Sequence, residues 1–244
     1  MSFAVMAQCP SKIRLPYNSS WLPYIVVTDE QVSGTDIELI RVVLKEVGTE
    51  LQLLSMPESR ALNDLATGKV DLLFGASYTD ERATFAWFSD SYRQEANVVV
   101  VHPLVLQRYP EVVNKVAFFE LAQRRLVGTF NPKGFYGEEF EQLKQQQPVK
   151  RRSVPIFDAE QRMALVLNQR ADFTLADQIS VKQRFAEQPI YQQLVMLPFE
   201  LSRADIHLML SKKTIDAACV ALINQSLHKH QPLGINGVRV IDHE

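Results

Sequence analysis

Side chains suited to binding a carboxylate lie a few residues after the short apolar run at residues 70–74. The run is short enough to predict a buried strand rather than a helix. Gly75 follows it, and glycine lets a backbone come close to a ligand. Ser77 and Thr79 then offer two hydroxyl donors, and Arg82 offers a planar guanidinium that can hold a carboxylate through two hydrogen bonds. These residues predict a receptor for a carboxylate-bearing molecule.

A plainer interpretation of the same residues stays open. Thr79 would cap a short helix, and Arg82 would pair with Asp80 or Glu81 on a solvated turn. Taken alone, the pattern Thr-x-x-Arg favours this second interpretation, because short motifs often occur without a function.

Composition limits the classes of protein that need to be considered. A chain of 244 residues with 46% hydrophobic content can bury a sizeable core, as one large domain or two small ones. The net charge is −2, and the basic residues are scattered, which argues against nucleic acid as a partner. No apolar run approaches the roughly 20 residues that a helix needs to cross a bilayer.

Hydrophobic spacing predicts alternating strands and helices. Apolar residues recur at helical intervals between Ile37 and Val47, and the run at residues 96–101 is continuously apolar. Such alternation indicates an α/β protein with a mostly parallel sheet covered on both faces. The pattern restarts after Pro103, which indicates a second α/β lobe. The predicted strands are 12–15, 50–56, 70–74, 96–101, 125–128, 150–155, 172–176 and 205–211, and the predicted helices are 36–47, 58–67, 137–146, 159–168, 178–185 and 214–229.

Several short motifs follow one another over most of the first hundred residues: Ile13-Arg14-Leu15, Trp21-Leu22-Pro23-Tyr24, Gly34-Thr35-Asp36-Ile37-Glu38-Leu39, Arg60-Ala61-Leu62, Gly68-Lys69-Val70-Asp71, Thr79-Asp80-Glu81-Arg82 and Phe88-Ser89-Asp90-Ser91-Tyr92. In this order they resemble the periplasmic amino-acid-binding proteins, the family-3 solute-binding proteins that serve ABC transporters. A weaker continuation lies at residues 125–128, 169–172 and 206–213.

The resemblance implies the two-lobe type II periplasmic-binding-protein fold. Residues 8–102 and 203–244 would form lobe 1, residues 103–202 would form lobe 2, and the chain would cross near 101–103 and 198–203. Two lobes joined by two such hinge crossings can close on a small ligand without refolding either core. Ligands of open α/β sheets bind at the carboxyl ends of strands, where Ser77 and Arg82 are expected.

The same resemblance assigns roles to individual residues. Ser77 and Arg82 would hold the α-carboxylate of an amino acid, with help from the segment that contains Tyr78 and Thr79. Asp177, at the end of a predicted lobe 2 strand, falls where the family has the carboxylate that binds the ligand's ammonium group. Its alternative role is to cap the helix at 178–185.

Further residues on the expected walls of the site follow from the family pattern. Trp21 falls where the family has an aromatic ring over the ligand, and Tyr24 follows it closely; without the resemblance both would be ordinary core. Glu58 and Arg60 begin a helix at a position that often faces the ligand.

The predicted lobe 2 loop at residues 129–136 departs from the family pattern. It contributes Asn131, Gly134 and Phe135 as ligand-binding candidates, but Pro132 and Lys133 stand where small hydroxyl residues are common. The departure indicates a ligand that is acidic, carries a second carboxylate, or is not an α-amino acid.

The N-terminal residues bear on where the protein works. Residues 3–7 are apolar, end in a Val-x-Ala pattern before Gln8, and resemble the tail of a secretory signal peptide; an edge strand is the alternative. Cys9 and Cys219 are the two cysteines of the chain. They would form a disulfide in an oxidising compartment such as the periplasm, or remain free thiols.

The function expected from these features is capture of a small carboxylate, an amino acid or related polar solute, between two lobes for uptake by an ABC transporter. The expected partner is a membrane permease, and the expected state is a monomer without cofactor or metal. A ligand-sensing domain of a membrane signalling protein is an alternative with the same fold. An enzyme resembling cyclohexadienyl dehydratase is less favoured, because no histidine pairs with the proposed carboxylate site.

Overall fold

The computed structural model describes residues 9–29 and 31–230. These residues form two compact units: residues 9–20, 24–94 and 205–230 make up unit 1, and residues 21–23 and 95–204 make up unit 2. The predicted signal-peptide tail before Gln8 lies outside the described residues. Within residues 9–29 and 31–230, no helix combines the length and the apolar character needed to cross a membrane.

The first part of unit 1 alternates strands and helices. Its elements are β1 (Lys12–Tyr17), β2 (Val26–Val27), β3 (Val32–Ser33), α1 (Thr35–Glu46), β4 (Glu50–Ser55), α2 (Glu58–Thr67), β5 (Leu72–Ser77), α3 (Asp80–Ala83) and β6 (Ala86–Phe88).

The chain enters unit 2 within a strand and leaves it within another. The elements that follow are β7 (Arg93–Val101), α4 (Pro103–Arg108), α5 (Lys115–Arg124), β8 (Gly128–Phe130), α6 (Glu138–Gln145), α7 (Gln147–Arg152), β9 (Val154–Pro155), α8 (Ala159–Leu167), β10 (Phe173–Asp177), α9 (Gln178–Glu187), β11 (Val195–Ser211) and α10 (Ala217–His230), with short 3₁₀ helices at Pro110–Val113 and Pro189–Gln193. The first portion of β11 belongs to unit 2, and its last portion and α10 belong to unit 1.

Unit 1 is built around the apolar face of α1. Ile37, Ile40 and Val43 recur at helical spacing and are fully buried, as the sequence predicts. β1 and β4 pair in parallel, and β5 and β6 each pair antiparallel with β11.

An ion pair fixes the start of β5 against β1. The Arg14 guanidinium donates two hydrogen bonds of 2.7 Å to the Asp71 carboxylate and a third of 2.8 Å to the Gly68 carbonyl oxygen. The motifs that contain these residues therefore have a structural use in unit 1.

Unit 2 buries its central strand on both faces. The side chains of β7 alternate between two apolar clusters, with Val99 and Val101 in one and Val98 and Val100 in the other. The continuous apolar run that predicts this strand reflects burial on both sides. β10 pairs antiparallel with β7 and parallel with β8, and β8 pairs parallel with β9.

Several expectations about the elements are wrong. The pairings are mixed rather than mostly parallel, because β10 runs antiparallel to β7, and β5 and β6 run antiparallel to β11. The strand predicted at 150–155 is limited to β9, and residues 150–152 end α7 instead. Pro148 lies in the first turn of α7 and basic residues lie in its last turn, and both placements favour a helix.

A disulfide joins Cys9 to Cys219 with an S–S distance of 1.99 Å. Cys9 precedes β1 and Cys219 lies in the first turn of α10, so the bridge connects the two ends of the described chain within unit 1. The pairing agrees with the disulfide interpretation of the sequence.

The disulfide predicts two measurable properties. Protein purified without reductant should be lighter than reduced protein by two hydrogen atoms in mass spectrometry. Replacing both cysteines by serine should lower the free energy of unfolding by about 2 to 5 kcal/mol, because the bridge closes a long loop. Reduced wild type is the matched control and should lose a similar amount. Two thiols that alkylate fully without reductant would contradict the pairing.

Candidate functional site

A break in strand register lies in β5 just before the predicted carboxylate-binding residues. Ser77 pairs with Ile206 and Ala76 with His207, but the next pair is Leu73 with Met209. Phe74 and Gly75 therefore lie opposite the single residue Leu208. This two-against-one arrangement is a β-bulge. Gly75 has a φ of 66°, a backbone conformation that favours glycine.

The bulge changes where the proposed site residues lie on β5. The strand predicted at 70–74 instead runs from Leu72 to Ser77, because it continues through the bulge. Gly75, Ala76 and Ser77 are thus inside the strand, and the strand ends at Ser77. Ser77 is buried, whereas Tyr78 is 52% exposed.

Thr79 caps the short helix α3. Its Oγ1 accepts a hydrogen bond of 3.2 Å from the Arg82 backbone N–H. The capping role, which the sequence leaves as an alternative, is therefore present, and it fixes the turn between Ser77 and Arg82.

The Arg82 side chain turns back toward the end of β5. Its Nη1 donates a hydrogen bond of 2.8 Å to the Ser77 carbonyl oxygen. The structure therefore brings together Ser77, Thr79 and Arg82, as the sequence predicts. A guanidinium fixed by one of its five N–H groups has a defined orientation, which bidentate binding of a carboxylate requires.

The other unit 1 candidates lie in different environments. Tyr24 is only 3% exposed, and the Arg93 guanidinium carbon lies 3.6 Å from the centre of its ring. Glu58 and Arg60 lie in the exposed first turn of α2. The structure thus places Tyr24 in the interior of unit 1. The roles of Tyr24, Glu58 and Arg60 in ligand binding stay predictions.

A row of rings adjoins the end of β5, and two of them, Phe88 and His207, are not among the predicted site residues. The rings of Tyr78 and Phe88 are 5.0 Å apart, and those of Phe88 and His207 are 5.8 Å apart. The His207 Nδ1–H donates to the Ser89 carbonyl oxygen at 2.8 Å. The sequence motif at residues 88–92 could have pointed to Phe88. His207 lies near the end of β5 only because β11 pairs with β5, which the sequence does not show.

A buried polar cluster lies behind the bulge and was also missed. The Tyr92 hydroxyl accepts a hydrogen bond of 3.0 Å from the Gly75 N–H and donates one of 2.5 Å to Asp36 Oδ2. Arg93 Nε lies 3.1 Å from the same oxygen. Burial raises the pKa of the Tyr92 hydroxyl well above its usual value, and the nearby Asp36 carboxylate raises it further.

In unit 2 the loop after β8 forms a tight turn. The Asn131 carbonyl oxygen accepts from the Gly134 N–H at 3.1 Å, and its side-chain oxygen accepts from the Lys133 N–H at 2.9 Å. The Asn131 N–H donates to the Tyr136 hydroxyl at 3.0 Å. Phe135 is half-buried within this turn, and Trp21, also in unit 2, is half-buried.

Asp177 ends β10 and is buried. Its Oδ2 accepts a hydrogen bond of 2.9 Å from the Ser180 N–H, so Asp177 caps α9. The capping alternative is therefore present. A role in binding the ammonium group of a ligand stays a prediction, as does the closure of two lobes.

The first part of the chain matches a described protein family. Residues 13–107 match the bacterial extracellular solute-binding proteins, family 3. This segment contains the bulge, Ser77, Thr79 and Arg82. No curated protein sequence gives a significant match.

Solved structures with the same fold include proteins of two roles. An ABC uptake transporter substrate-binding protein from Streptococcus pneumoniae, with bound histidine, is 17% identical, has a TM-score of 0.75, and is matched over 90% of this chain and 86% of its own. The arginine-, lysine-, histidine-binding protein ArtJ from Geobacillus stearothermophilus is 19% identical, with a TM-score of 0.74 over 89% and 88% of the two chains. A histidine kinase sensor domain with similarity to periplasmic binding proteins is 15% identical, with a TM-score of 0.74 over 89% of each chain.

At these identities the solved structures establish the fold, and the family match covers the segment with Ser77, Thr79 and Arg82, whose role in binding a carboxylate stays a prediction. The predicted resemblance is confirmed: residues 13–107 carry the sequence pattern of the family-3 solute-binding proteins, and the chain has the type II periplasmic-binding-protein fold of their amino-acid-binding members.

Proposed function

We propose that this protein is the periplasmic solute-binding component of an ABC uptake system. It captures a small carboxylate-bearing ligand, an amino acid or a related polar solute, and presents it as a monomer to a membrane permease. Its role is binding and release, with no chemical step on the ligand.

The observation that carries the proposal is the orientation of Arg82 at the end of β5. The guanidinium is held by the Ser77 carbonyl oxygen at 2.8 Å, and the intervening turn is fixed by the Thr79 cap. A planar fork held in one orientation suits a carboxylate better than a flexible ammonium would. The three residues lie within the segment that matches the solute-binding family.

Two of the compared structures support the amino-acid class of ligand. One holds histidine, and another is described as an arginine-, lysine- and histidine-binding protein. We propose that Arg82 binds the carboxylate of such a ligand and that Asp177 binds its ammonium group. Lys133 stands where the family commonly has a small hydroxyl residue, and its positive charge could bind a second carboxylate. The proposal therefore includes ligands with two carboxylates.

A sensory role is the second candidate, and one observation favours it. The sensor domain of a histidine kinase shares the fold over 89% of each chain. Both roles use the same ligand site. Uptake of labelled ligand, compared between cells that carry and cells that lack this gene, separates the two roles. Uptake requires the protein if it serves a transporter, but not if it is a sensor.

Arg82→Ala tests the proposed carboxylate anchor. A thermal-shift screen against the twenty common L-amino acids, succinate and citrate first identifies a ligand, since a ligand at about 100 times its Kd adds about 2.7 kcal/mol to stability. Calorimetry on Arg82→Ala should then show a loss of about 2 to 5 kcal/mol in binding free energy, as expected when one member of a buried charge pair is removed. Arg82→Lys should also bind weakly, because the bidentate geometry is lost.

Arg41→Ala is the matched control. Arg41 is an exposed arginine of α1 in the same unit, 3.9 Å from Glu38, and its removal should leave affinity unchanged. Full affinity in folded Arg82→Ala would refute the assignment.

Asp177→Ser and Asp177→Ala separate the two roles of Asp177. Alanine removes the cap of α9 and should cost about 0.5 to 2 kcal/mol of stability, whereas serine can accept the same hydrogen bond from Ser180. Both variants remove the negative charge, so both should lose affinity for an amino acid in calorimetry. Normal affinity in Asp177→Ser would leave Asp177 with the capping role alone.

A further inference from the structure

We propose that Tyr92 is a positioning residue, whose hydroxyl holds the β-bulge at Gly75 in the register that presents Ser77 and Arg82. The effect on ligand affinity rests on the function proposed above. The effect on the strand does not depend on it.

The segment at residues 88–92 supplies side-chain partners to both strands at the bulge. On β5, the Gly75 N–H donates to the Tyr92 hydroxyl at 3.0 Å. On β11, the Leu208 N–H donates to Ser89 Oγ at 2.9 Å, and the Leu208 carbonyl oxygen accepts from the Ser89 N–H at 2.9 Å. Buried backbone groups require such partners, and on β5 the Tyr92 hydroxyl supplies one for Gly75 at the register break. Ser89 continues the pairing of β6 with β11 and holds Leu208, the residue opposite the bulge, along the other edge of β11.

The Asp36 carboxylate sets the direction of the Tyr92 hydroxyl. A phenol has one O–H to donate, and Tyr92 donates it to Asp36 Oδ2 at 2.5 Å. The oxygen lone pairs are then directed to accept from Gly75. If the O–H pointed toward Gly75, the Gly75 N–H would face a second donor instead of an acceptor.

The cluster around Asp36 is buried. Asp36 is 2% exposed, Tyr92 9% and Arg93 9%. The positive charge of Arg93 balances Asp36, and its guanidinium stacks on the ring of Tyr24 at 3.6 Å. The same guanidinium lies 5.5 Å from the centre of the Tyr92 ring, so Arg93 contacts both the carboxylate and the ring of the Tyr92–Asp36 pair.

The position of the bulge determines which face of the sheet Ser77 occupies. Ser77 lies two residues beyond Gly75, and its carbonyl oxygen holds Arg82. A change of register by one residue would turn the Ser77 side chain to the opposite face of the sheet and redirect its carbonyl group. The hydroxyl of Tyr92 is therefore linked to the orientation of Arg82 through a short stretch of strand.

Tyr92→Phe tests this link because it removes the hydroxyl and keeps the ring. Without any ligand, hydrogen–deuterium exchange in a peptide covering residues 72–79 should become at least tenfold faster than in wild type, while a peptide covering β1 should change much less. Equal changes in the two peptides would overturn the proposal, since they would mean a general loss of stability.

Tyr191→Phe is the matched control. Tyr191 is a buried tyrosine of unit 2 whose hydroxyl donates to the Glu160 carboxylate. Its variant also loses a hydroxyl-to-carboxylate bond, but it should leave exchange at residues 72–79 unchanged. If Tyr92→Phe fails to fold, wild-type protein still tests the contact by NMR: the Gly75 amide should be protected from exchange like its neighbours in β5, and an unprotected Gly75 amide would overturn the proposal.

Affinity provides the second measurement. For the amino acid, succinate or citrate that stabilises wild type, Tyr92→Phe should raise Kd at least tenfold and Tyr191→Phe less than twofold. Faster exchange with an unchanged Kd would overturn the positioning role. If wild type binds none of these probes, the proposed function fails, and the exchange experiment still decides whether Tyr92 holds the bulge.

Discussion

The hydrogen bond that Tyr92 accepts from Gly75 holds the register break between β5 and β11, and the geometry of the proposed site follows from that break. The Gly75 and Leu208 amides both donate to side chains of the segment that contains Tyr92. Beyond the bulge, β5 continues as far as Ser77, and the Ser77 carbonyl oxygen orients Arg82. The proposed carboxylate anchor thus depends on a backbone irregularity rather than on an ideal strand, and bulges are common near binding sites.

Two ion pairs of unit 1, one partly exposed and one buried, support β5 at different points. Arg14 of β1 pairs with Asp71 just before β5, and Arg93 pairs with Asp36 behind the bulge. Ion pairs removed from water contribute less net stability than their Coulomb attraction suggests, because both charges lose hydration. Here the two ion pairs contribute mainly to geometry, because their directed hydrogen bonds fix the position of β5.

Much of the fold could be predicted from periodicity, and the errors have local causes. The helix predicted at 58–67 matches α2, because its apolar spacing is regular and Gly68 ends it in the left-handed conformation. The strand at 70–74 was placed too early because a bulge extends it, and no pattern within the strand reveals which residue of β11 lies opposite. The helix α7 was missed because its six residues are too few to show a period.

The site was predicted in part. Ser77, Thr79 and Arg82 are close in sequence, so their proximity followed from a short turn. Tyr92 was missed because its function depends on Asp36 and Gly75, which lie 56 and 17 residues away in sequence. Asp177 fits the requirements of a helix cap and of a ligand carboxylate equally well, since both need a buried acceptor at the end of a strand.

The central claim is that Arg82 receives the carboxylate of a small solute. A crystal structure of the protein grown with the amino acid, succinate or citrate that stabilises it most would test this claim most directly. The account predicts a ligand carboxylate within hydrogen-bonding distance of the Arg82 guanidinium, with the bulge at Gly75 and its contact to Tyr92 intact. A well-ordered ligand whose carboxylate lies away from Arg82 would contradict it.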